Sequence, residues 1–181
     1  IVVVMVFLTG VGVLDRPDLA VSDALYQERV ATDGNIVIIG IDQKALDAYG
    51  PYQQWSREGI ARTLETLNVS EECRPAVIGV DILFSGESDE EEDKRLAEAA
   101  GRYGNVIVAS AAQYGIDISE VDGGYRMDAF YVSAFGEPYQ ALKEATECAH
   151  INAMLDSDGI LRHHLLFVRL PDGEEVDSMA L

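Results

Sequence analysis

Residues 76–84 read AVIGVDILF, and with IVIIGID at 36–42 and NVIVAS at 105–110 they make three aliphatic runs that lack period-two alternation. Strands covered on both faces read this way, because neither face needs a polar side chain for water. Between the first two runs lies SREGIARTLETL, in which Ile60, Leu64 and Leu67 recur at helical spacing and Ser56 can cap the start. Between the second and third lies SDEEEDKRLAEAAGRYG, where Ser88 and Glu91 make a capping-box pattern and Gly101 or Gly104 can end the helix. The order is βαβαβ, and strands joined through helices of this length run parallel. The sequence therefore predicts an α/β fold: a central mixed, mostly parallel sheet with helices on its faces.

Beyond residue 110 the rhythm changes. Residues 113–135 mix Gly, Asp, Tyr and Phe and read as a long surface excursion, with or without short strands. A short helix is expected over 136–146, with Tyr139 and Leu142 inward. HINAML and ILRHHLLFVRL then flank Asp156-Ser157-Asp158-Gly159, turn residues between apolar runs, which predicts a C-terminal antiparallel hairpin. Pro171-Asp172-Gly173 makes a second turn, and the residues from Glu174 to Leu181 form a further strand or the start of a helix.

At the other end, residues 1–14 read IVVVMVFLTGVGVL without a charge. A bilayer-spanning helix takes about 20 apolar residues, so this run is expected to be the end of a transmembrane helix, continuing as a membrane-proximal helix toward Arg29. The expected organisation is residues 1–14 as that helix end and 15–181 as one domain. The flank Asp15-Arg16-Pro17-Asp18 leans acidic, which favours an extracytoplasmic location for the domain after it.

The charge narrows the function. With 32 acidic and 13 basic side chains the net charge is -19, which repels phosphate backbones, so no nucleic-acid partner is expected. There is no phosphate-binding G-x-x-x-x-G-K-[ST], no nucleophile elbow and no H-E-x-x-H. No catalytic residue, cofactor or metal is assigned, and the acids from Glu87 to Asp93 are read as complementing a helix macrodipole. His150, His163 and His164 lack ligand spacing and are read as structural. Cys73 and Cys148 each precede a strand and are expected to be able to form a disulfide in an oxidising compartment, two free thiols being the alternative.

Ligands of open α/β sheets bind beyond the carboxyl ends of the strands, where Asp42 and Asp81 are expected. With Arg57, Trp55 and Phe84 nearby, they make the candidate ligand-binding cluster. Its roles stay open: a clamp for a ligand, or a brace in which Arg57 satisfies a buried carboxylate.

These features in this order resemble the CHASE domains of the second type, CHASE2. The likeness is carried by the opening apolar run followed by Asp23-Ala24-Leu25-Tyr26-Gln27-Glu28-Arg29, by IVIIGID, and by Gly50-Pro51-Tyr52-Gln53-Gln54-Trp55-Ser56-Arg57. It continues through Gly79-Val80-Asp81-Ile82-Leu83-Phe84, the acids reaching Asp93, the strand at 105–110, and Asp156-Ser157-Asp158-Gly159-Ile160-Leu161-Arg162. Gln53 and Gln54 spread apart an aromatic–Pro–aromatic–Arg stretch that the family shows more compactly. The resemblance implies a non-enzymatic extracytoplasmic sensor, anchored in the membrane by flanking helices and coupled to a cytoplasmic adenylate cyclase, histidine kinase or serine/threonine kinase. Its partner would be a small-molecule or protein signal, with homodimerisation left open. The competing readings are a metal-dependent hydrolase using Asp42 and Asp81, and a purely structural dimerisation module.

Overall fold

A computed structural model describes residues 15–26, 34–121, 124–156 and 158–181. The expected membrane-spanning run, residues 1–14, lies outside the described residues. Among those that are described, no helix is long and apolar enough to cross a membrane. The chain divides into two compact units, Ile1–Leu46 and Asp47–Leu181.

In the first unit, helix α1 spans Asp15–Tyr26. The run 36–42, expected as a buried strand, is neither a strand nor buried: Ile36, Val37 and Ile38 are each more than 80% exposed. Aliphatic content marks a segment that gains from burial, but a strand also needs a neighbour's edge for its N–H and C=O groups. No strand is present among the described residues of this unit. Helix α2, Gln43–Tyr49, follows directly.

The second unit holds the α/β core. Helix α3, Arg57–Asn68, starts at Ser56, whose hydroxyl accepts the Glu58 N–H at 3.1 Å as expected. Strand β1 is the short core of its run, Ile78–Val80. Helix α4, Glu90–Gly101, is capped by Asp89, which accepts the Glu91 and Glu92 N–H groups, and not by the Ser88 and Glu91 box. Strand β2, Val106–Val121, lies between β1 and β4, Glu147–His150. Both pairings are parallel, with Val80, Val108 and Cys148 in register. Helix α5, Gln140–Ala145, precedes β4 and is shorter than the expected 136–146.

The core forms where the helices meet this sheet. Leu64, Leu96, Leu142, Val106, Val108 and Phe84 fill it, and Ala61, Ala99 and Ala100 are small enough to let the helices approach. Truncating Leu96 or Leu142, 1% and 0% exposed, to alanine is expected to cost about 2–5 kcal/mol through lost transfer energy and the cavity left behind.

Residues 113–135 are not irregular. The second half of β2 forms an antiparallel hairpin with β3, Gly124–Gly136, running from Ala111↔Gly136 to Val121↔Gly124. Register shifts at Gln113/Tyr114 and Asp117/Ile118 blur the alternation that would have announced it. Gly115 belongs there for a steric reason: a Cβ on it would stand 2.6 Å from the Tyr131 ring. The C-terminal antiparallel hairpin consists of β5, Phe167–Arg169, and β6, Glu175–Asp177, around the turn at Pro171-Asp172-Gly173, where Gly173 takes φ +94°. The Asp156–Gly159 region also turns, but among the described residues its flanks share one bridge, Met154↔His163.

Candidate functional site

Arg57 is the first residue of α3, so its backbone N–H has no partner within the helix; Glu92 of α4 accepts it at 2.9 Å. The Arg57 guanidinium forms an ion pair with Asp93, the side chains being 15% and 8% exposed. Nη2 donates to the Gly86 carbonyl at 2.8 Å, and Gly86 takes φ +88°, a conformation that glycine adopts without steric cost. The guanidinium also lies over the Tyr139 ring at 4.6 Å and the Phe84 ring at 5.8 Å, the arrangement in which aromatic faces stabilise a cation.

Asp93 is equally engaged. Its other carboxylate oxygen accepts the Ser88 N–H at 2.8 Å, and its backbone carbonyl accepts the Tyr139 hydroxyl at 2.7 Å. Burial first, and then the Asp93 charge, push the Tyr139 hydroxyl up to about 12, so it stays a donor at any ordinary pH. This buried charge is compensated on all sides, and the cluster clamps the first turns of α3 and α4 to the loop after β1 and to the residue that precedes α5.

Of the residues expected to form a ligand cluster, the structure brings Arg57 and Phe84 together. Phe84 is a core residue, 6% exposed. Trp55 is half-buried, donates Nε1–H to the Gly50 carbonyl at 2.9 Å, and packs against Tyr49 and Tyr52 at 5.9 and 5.5 Å. Asp81 is exposed just past the end of β1, with no partner among the described residues, and Arg57 pairs with Asp93 and not with it. Asp42, in the first unit, is exposed and accepts the Ala45 N–H at 3.0 Å at the start of α2. Cys73 is exposed and Cys148 half-buried, both as free thiols. Among the described residues, no three His, Cys, Asp or Glu side chains gather as a metal site. Two surface depressions lie elsewhere, at Ala97, Gly101, Ala141 and Ala145 between α4 and α5, and at Phe135, Leu170 and Pro171 between β3 and the last turn.

The family model described as the CHASE2 domain matches residues 1–181, the whole chain. The chain belongs to the CHASE2 domain family. CHASE2 is a family of sensory domains found in signalling receptors. No curated protein and no solved structure matches the chain.

This CHASE2 domain holds a second polar cluster, at and beyond the carboxyl end of β4. Asn152 uses its side-chain amide as a two-pronged clip on Ala112 of β2, with Oδ1 accepting the N–H and Nδ2 donating to the C=O, both at 2.7 Å. His150 is fully buried beside it. In the next turn Arg162 pairs with both Asp156 and Asp158. Hydrogen bonding to Arg162 is the main cause that holds both carboxyls low, Asp158 down to about 2. A sequence signal for this cluster does exist: Asp156, Asp158 and Arg162 stand two and four residues apart around Gly159, the spacing of a turn closed by its own charges.

Proposed function

We propose that this CHASE2 domain is the extracytoplasmic input module of a transmembrane receptor and has no catalytic role of its own. The match of the family over residues 1–181 carries the reading. The output would be an adenylate cyclase, a histidine kinase or a serine/threonine kinase on the cytoplasmic side. A small-molecule or protein signal acts by binding one of two conformations more tightly than the other, since equal affinity shifts nothing. Asp81, exposed just past the end of β1 and without a partner among the described residues, is a member of the expected cluster whose carboxylate could meet such a ligand.

The test is made on the intact receptor. Its output is measured with this domain present, removed, or replaced by an unrelated domain, and the side of the membrane is read from a reporter fused at residue 15. The reading predicts that the response to the stimulus disappears with the domain and that the reporter is extracytoplasmic. An unchanged response, or a cytoplasmic reporter, would sink it.

A further inference from the structure

His150 ends β4, wholly buried, with the equally buried Ser110 of β2 as its register partner. Its Nδ1 accepts the backbone N–H of Asn152 at 3.2 Å, so the neutral ring carries its proton on Nε2. Nε2 is buried without a well-formed hydrogen bond. The Leu166 carbonyl, whose nearness favours the protonated ring, already takes the Ser178 N–H at 2.8 Å.

A second proton would have to enter at Nδ1, where the Asn152 N–H already points. Asn152 is not free to withdraw, because its side chain holds both backbone groups of Ala112. A proton on Nδ1 would therefore be set directly against the Asn152 N–H. The same residue fastens a distant segment: His150 bridges to Ser178 as a parallel partner, and its carbonyl accepts the Met179 N–H at 3.0 Å. His164 Nε2 lies 2.9 Å from the Ser178 hydroxyl.

We propose that His150 is a proton-operated latch, whose protonation breaks the contact with Asn152 and frees Ser178 and Met179 from the end of β4. The titratable groups acting on it are His164, whose charge opposes protonation, and Asp177 of β6, whose charge favours it. β2 and the turn present the neutral side chains Ser110 and Asn152. Burial, and then His164, hold its pKa below that of an ordinary histidine. A lowered folded-state pKa means that the closed form is fully favoured above the ordinary value of about 6.5 and loses weight as pH falls below it. The latch is built from the geometry of the domain and is independent of the receptor reading.

The test is a pH titration of the 181-residue chain by NMR from about pH 8 to 4, the window in which histidine titrates. The His150 ring signal and the Asn152, Ser178 and Met179 amide signals should move together, with a midpoint below about 6.5. His164→Gln removes the opposing charge and should raise that midpoint, while His150→Asn should abolish the coupled change. If His150→Asn does not fold, the wild type and His164→Gln decide between them. Ser178 and Met179 amides that stay still while His150 titrates, or that follow His163 or His164 instead, would overturn the latch.

Discussion

Arg57 and Asp93 stand 36 residues apart in the chain and form a buried ion pair between the first turns of α3 and α4. Removing one partner leaves the other buried and uncompensated, which typically costs about 3–5 kcal/mol. Asp93→Asn and Arg57→Ala should therefore each lower the midpoint of chemical denaturation by a large part of a domain stability of about 5–15 kcal/mol. Arg57→Lys keeps the charge but loses the planar fork and the stacking on Tyr139, so it should fall in between. A denaturation midpoint unchanged in Asp93→Asn would remove the brace.

Asp81 serves as the contrast. Its carboxylate is exposed and has no partner among the described residues, so Asp81→Asn should change stability by no more than about 0.5 kcal/mol. Any loss of receptor response in that variant would then report on binding and not on folding. A substantial fall in melting temperature would show that Asp81 has a structural partner after all.

The sequence placed Arg57 correctly but not its partner, and the reason is instructive. Seven residues from Glu87 to Asp93 contain six acids and look alike as solvated charge, yet helical phase separates them. Asp93 lies three, four and seven residues before Leu96, Ala97 and Ala100, all buried, so it shares their face and needs a cation. The parallel centre was legible because AVIGVDILF and NVIVAS carry their own signal and have helices beside them. The β2–β3 hairpin was not, because register shifts and Gly115 break the alternation. The exposed run 36–42 shows the limit of composition, which states a preference for burial and names no neighbour.

Asn152 joins the turn after β4 to the second half of β2 through two short hydrogen bonds. Asn152→Asp keeps the acceptor for the Ala112 N–H but turns the donor into a second oxygen facing the Ala112 carbonyl. The unsatisfied carbonyl should cost about 1–3 kcal/mol, and Asn152→Ala should cost a similar amount through both bonds. Equilibrium unfolding in urea measures this, and a variant as stable as the wild type would show that the clip is not used in solution.

The thiols should differ in reactivity. Cys73 is exposed, while Cys148 is half-buried and its thiol is pushed up, by burial first and then by the Glu137 charge. Because the thiolate is the reacting form, native-state alkylation followed by mass spectrometry should find Cys73 modified well before Cys148. Equal rates, or a disulfide in the non-reduced sample, would contradict the placement of both residues.

The Arg162 turn makes the fold sensitive to acid. The Asp158 carboxyl falls from 3.8 to about 2, chiefly through its hydrogen bonds with Arg162, and Asp156 is lowered for the same first reason. A folded-state pKa below the unfolded one stabilises the fold at pH values above the unfolded pKa, and that stability is lost as pH falls through the folded value. The contribution is thus complete above about pH 4 and disappears toward pH 2, the window set by Asp158. Arg162→Ala should flatten the pH dependence of stability across this window. It should also lower stability at neutral pH, because the Arg162 side chain is only 12% exposed and its stem packs as well as pairs. The two effects separate by salt: the carboxylates are accessible to solvent, so added salt should shrink the slope in the wild type and leave the packing loss in place. Stability curves for wild type and variant that run parallel from pH 4 to 2 at low salt would show that Arg162 contributes through packing alone.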